Sequence, residues 1–92
     1  MLKVGDIVKV RKEQSKYVKY VYDTDYWPSM KRELGIKAAE GMALVVVVSN
    51  DISVEVTDAE YRYSETLRLE AKYFEKTKKE KEVDESVMFA LL

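Results

Sequence analysis

The chain of 92 residues contains neither cysteine nor histidine. Without thiols there are no disulfide staples, and without either side chain the usual zinc ligands are gone. The missing imidazole also removes the commonest general base near neutral pH, so any catalysis would fall to carboxylates, lysine or tyrosine. Proline occurs once, at position 28, and glycine three times, at positions 5, 35 and 41. No Gly/Ser-rich or Pro-rich linker therefore divides the chain, and its length allows one small domain. No apolar run approaches the roughly eighteen residues of a membrane span, and residues 1–20 lack the apolar segment of a signal peptide. The expectation is a cytoplasmic protein without membrane contact. Phosphate-binding loops, dinucleotide fingerprints and EF-hand spacings are missing too, so no cofactor is expected.

An excess of charge of either sign is also lacking: 16 Lys/Arg face 17 Asp/Glu, and the sequence pI is about 5.5. Residues 1–50 carry nine basic against six acidic side chains and residues 51–92 carry seven against eleven. Neither half has the strongly basic balance of a nucleic-acid binder, and no nucleic-acid partner is expected. Lys9, Arg11, Lys12, Lys16 and Lys19 read as a solvated strand and loop, with a local polyanion-binding stripe as the alternative. Asp23 with Asp25 and Glu65 with Glu70 are acid pairs of the kind that chance supplies among 17 acids, and no metal site is expected.

What is present is the composition of a folded domain, 47% hydrophobic and 36% charged. "KVGDIVKV" reads as a first strand entered through a tight turn at Gly5-Asp6. "KYVKYVYD" alternates, with Val18, Tyr20 and Tyr22 on one face, as a strand or an extended loop would. "SMKRELG" predicts one or two helical turns stopped by Gly35. "MALVVVVSNDISVEV" predicts a hairpin: a buried strand 43–48, a turn at 49–51, then Ile52, Val54 and Val56 facing inward. "AEYRYS" follows as a short alternating strand with Tyr61 and Tyr63 on one face. Ser64 then caps a predicted helix through Glu82, with Leu67, Ala71 and Phe74 on its apolar side.

Two groups of residues stand out as candidate binding sites. Tyr17, Tyr20, Tyr22, Tyr26, Trp27, Tyr61 and Tyr63 are many aromatics for so short a chain, and such side chains either fill small cores or form protein-binding faces. The tail "VDESVMFALL" places Val83, Val87, Met88, Phe89, Leu91 and Leu92 beyond a polar stalk, as an arm for docking or for homo-oligomerisation.

The order "KVGDIVKV", "WPSMKRELGIK", an apolar strand pair and "YRYSETLRL" resembles the SH3-like small barrel domains of short phage and prophage proteins. It covers residues 3–69, with Tyr61 or Tyr63 where those domains usually have Trp. The resemblance implies a mainly β fold, a small SH3-like barrel over 1–69; the C-terminal helix and apolar tail over 70–92 are read from the residues themselves and lie outside that family pattern. The resemblance also implies a non-enzymatic module that binds a host or defence protein or serves an assembly. "GDIVKV" with "ALVVVVSND" also resembles MazF/PemK-type toxin endoribonucleases, whose Arg-Pro pair is replaced here by "EGMALV". That second resemblance implies an RNA-cleaving or RNA-binding barrel, for which Arg62 and Arg68 are the arginines to consider.

Overall fold

The structure, a computed structural model, describes residues 1–77. It is strand-rich and mixed: β1 (Ile7–Val10), α1 (Ser15–Tyr22), α2 (Ser29–Ala39), β2 (Leu44–Ser49), β3 (Ser53–Asp58), β4 (Leu67–Glu70) and β5 (Phe74–Lys76). A turn of 3-10 helix, Lys12–Gln14, leads into α1, and another, Ala71–Tyr73, joins β4 to β5. The five strands form one antiparallel sheet in the order β4-β3-β2-β1-β5.

That order forces curvature. β4 and β5 are opposite edges of the sheet, yet only three residues separate them. Four strand spacings in a flat sheet amount to about 19 Å, whereas four Cα steps reach at most about 15 Å. The sheet must therefore curl until its edges approach. Two backbone hydrogen bonds hold the connecting turn across the gap: Ala71 N–H donates to the Ile52 carbonyl and Arg11 N–H to the Tyr73 carbonyl, both at 2.8 Å. An irregularity between Val46 and Val48 shifts the register of the β2–β3 pair, and such bulges bend a strand and increase its twist.

The hairpin forms where the sequence predicts it. Val54 and Val56 are buried, but Ile52 lies in the turn and is 72% exposed instead of inward, and Val48 beyond the bulge is exposed as well. The predicted helix from Ser64 is replaced, through residue 77, by β4, the 3-10 turn and β5. Its supposed helical stripe, Leu67 and Phe74 with Ala71, is instead contributed by two edge strands and the turn between them. The tail positions Val83, Val87, Met88, Phe89, Leu91 and Leu92 lie outside the described residues.

The helices also depart from the expectation. Residues 15–22 are an α-helix, because Val18 and Tyr22 stand four residues apart and both enter the core, while Tyr20 between them is 79% exposed. The alternation of this segment is therefore not the pattern that is buried. Ser15 Oγ–H donates to the Ala39 carbonyl and ties the start of α1 to the end of α2. α2 runs through Gly35 and stops at Gly41, where φ is 101°. Gly41 N–H donates to the Ala38 carbonyl at 3.0 Å and Met42 N–H to that of Lys37 at 3.1 Å, the paired bonds of a Schellman end.

Leu34, Ala38, Val18 and Tyr22 from the helices meet Val8, Val46, Val54, Val56, Leu67 and Phe74 from the sheet in one core. No helix among the described residues is long and apolar enough to cross a membrane.

Candidate functional site

Gly35 lets the backbone of α2 approach the Tyr22 side chain of α1 closely. A Cβ at this position would stand 2.3 Å from both Cβ and Cγ of Tyr22. Tyr22 is thus pressed against the glycine, 3% exposed, and burial pushes its hydroxyl up to about 12. Its ring also packs against Trp27, with centroids 5.0 Å apart. Tyr26 meets Trp27 edge to face at 4.9 Å, and Lys31 Nζ lies 5.3 Å from the indole ring.

The turn that carries these rings is fastened at several points. Trp27 Nε1–H donates to the Val21 carbonyl at 2.8 Å, and Tyr26 N–H to Thr24 Oγ1 at 3.0 Å. Arg32 reaches back from α2 to Asp23 Oδ1 at 2.8 Å and Asp25 Oδ1 at 3.4 Å. The carboxylates of Asp23 and Asp25 therefore converge on a guanidinium. Asp23 holds the Arg32 guanidinium above its usual value, chiefly through the hydrogen bond. The outcome is a stack running from core to solvent: Tyr22 buried, Trp27 half-buried, Tyr26 83% exposed. Met30, on the first turn of α2, is 44% exposed and receives Ser64 Oγ–H at 3.2 Å.

Tyr61 and Tyr63 belong to a loop, residues 59–66, and not to a strand. The loop is wound around the carboxylate of Asp58, whose side chain is 1% exposed. Asp58 accepts from the backbone N–H of Glu60 at 3.0 Å and of Arg62 at 3.1 Å, and from Arg62 Nε at 2.6 Å. The Arg62 bond, opposed by burial and aided by the two backbone donors, brings the pKa of Asp58 down to about 2. Wrapping the chain this tightly places Tyr61 at φ 55°, a conformation uncommon for a residue with a side chain. Tyr61 is consequently turned outward, 67% exposed, while Tyr63 is turned onto α2 and its hydroxyl donates to Glu33 Oε2 at 2.6 Å.

The seven aromatics expected to form a face are thus dispersed. Tyr22 belongs to the core; Tyr26 and Trp27 cap the interhelix turn; Tyr61 and Tyr63 sit on the β3–β4 loop. Tyr17 and Tyr20 project from α1, and Tyr17 packs edge-on against Tyr73 at 5.6 Å. Met30, Lys31 and Arg32 escape a search by residue type, because their roles depend on the helical geometry of 15–39, and Asp58 because its role depends on the winding of the β3–β4 loop; Asp23 and Asp25 are visible only as a chance acid pair. Arg68 pairs with Glu55 at 3.0 Å, so this arginine and Arg62 are both engaged with carboxylates. Comparison of the chain with protein-family models, curated proteins and solved structures gives no match.

Proposed function

We propose that the chain is a non-enzymatic protein-binding module built as an SH3-like small barrel, encoded by a phage or mobile element. The barrel reading is supported by the curled sheet and by the single 3-10 turn joining its two edge strands. The binding reading rests on one observation: the Tyr26–Trp27 pair is displayed at the surface yet fastened from beneath by Tyr22, the Val21 carbonyl and the Arg32 clamp. Rigid aromatics of this kind give large contact area with little ordering cost, and they recur among the few residues that dominate interface energy. Met30 and Lys31 extend the patch with an apolar and a cationic edge. The partner is a protein, and the apolar C-terminal segment joins copies of the chain.

The test compares capture from a host-cell lysate by the full chain and by its Tyr26→Ala/Met30→Ala variant. Both side chains are exposed, so the variant should melt close to the parent. A protein retained by the parent and lost by the folded variant supports the proposal. Equal retention by both would place the interface elsewhere.

A further inference from the structure

The segment from Lys9 to Tyr22 holds five basic side chains, Lys9, Arg11, Lys12, Lys16 and Lys19, against the single acid Glu13. In an extended chain these would be spread over both sides. Because 15–22 is helical, Lys16, Tyr17, Lys19 and Tyr20 share the outer face of α1, and all four are exposed. Tyr20 is 79% exposed; Tyr17 is 49% exposed and continues edge-on into Tyr73, over which Lys72 lies at 5.9 Å. Arg11 Nε–H donates to the Lys72 carbonyl at 3.1 Å, joining the basic approach to α1 with the 3-10 turn.

Glu13, exposed on the 3-10 turn, lies within this surface, and two further acids approach its basic side chains. Glu75 stands 3.9 Å from Arg11 and Glu70 3.6 Å from Lys72. Lys12, Lys16 and Lys19 have no acidic partner within 4.0 Å among the described residues. Cations interleaved with exposed ring faces are what a single-stranded nucleic acid requires: phosphates meet the ammonium groups and bases stack on tyrosines. A bilayer would instead need Leu, Phe or Trp to insert, and the exposed face of α1 has none. An acidic peptide would use the charges and leave the rings without partners.

We propose that the outer face of α1, with Tyr73 and Lys72 beside it, binds single-stranded nucleic acid through Lys12, Lys16 and Lys19 on phosphate and Tyr20 and Tyr17 on bases. The surface shares no residue with the Tyr26–Trp27 patch, so the inference stands apart from the protein-binding proposal. Its contacts use phosphates and base faces only, which makes oligothymidylate a sufficient probe.

Fluorescence anisotropy of the full chain with a labelled oligothymidylate of about 15 nucleotides tests this. Binding in the micromolar range is expected, weakening as salt rises. Lys16→Glu/Lys19→Glu should reduce affinity at least about tenfold, and Lys16→Gln/Lys19→Gln, which adds no new charge, should reduce it in the same direction. Tyr20→Ala should weaken binding at least about fivefold with the melting temperature unchanged. Polyglutamate should not compete. Absence of binding up to about 100 μM chain, an unaffected Tyr20→Ala variant, or polyglutamate competing as well as unlabelled oligothymidylate would each overturn the proposal.

Discussion

Replacing Gly35 by alanine should destabilise the protein, although the same change on a free helix would stabilise it. Alanine is favoured over glycine in a helix interior by about 1 kcal/mol. Against this stands the added methyl, 2.3 Å from Tyr22 Cβ and Cγ and 2.8 Å from Cδ2. Carbon atoms need about 3.5–4.0 Å, and Tyr22 Cβ does not move when the side chain changes rotamer. Relief therefore requires α1 and α2 to separate by about 1 Å or more. Overpacking of this kind costs about 1–3 kcal/mol, and displacement of a whole helix belongs at the upper end. The net loss is about 1–2 kcal/mol, which lowers the melting temperature of a domain this size by roughly 5–15 °C. Thermal and urea denaturation followed by circular dichroism would read it, with Trp27 fluorescence reporting the loosened ring stack. A Gly35→Ala variant that melts at or above the parent would refute the close helix contact and with it the rigid support of Trp27.

Two further outcomes concern the β3–β4 loop and the C-terminal segment. Asp58→Asn should cost about 1–3 kcal/mol by removing the charged acceptor of the β3–β4 loop. Because the folded value of Asp58 lies below its unfolded one, its contribution is complete above about pH 4 and is lost as pH falls toward 2. At most about 2 kcal/mol is at stake, reduced by the solvent around Arg62, which is 57% exposed. Urea titrations across this window should show a shallower acid loss for the variant than for the parent, and equal slopes would contradict the assignment. Deletion of residues 84–92 should leave the sheet folded and convert an oligomer to a monomer by light scattering; a monomeric full chain would refute self-association through that segment.

The hairpin was legible because six apolar residues followed by a turn and an alternating run fit no other local structure. The first strand and the existence of a helix after Pro28 were legible for similar reasons. The segment 15–22 was not, since "KYVKYVY" satisfies an alternating and a helical pattern at once, and only packing against α2 decides which set is buried. Gly35 and Gly41 both offer a helix stop, and the choice depends on Tyr22, a residue thirteen positions away from the first of them. The stretch 64–77 has helical spacing in Leu67, Ala71 and Phe74, yet pairing with β3 and β1 satisfies its backbone and closes the sheet edge. Of the candidate site, the aromatic content was evident in the sequence. Which rings are core, which are displayed and what fastens them depended on contacts between distant residues.

The claim that the Asp23–Lys31 segment is the protein-binding surface is tested most directly by amide hydrogen exchange on the full chain, alone and with the protein it captures. Added protection is expected over residues 23–31, centred on Tyr26 and Trp27, with the β2–β3 hairpin unchanged. Protection confined to other segments, with 23–31 exchanging as in the free chain, would contradict it.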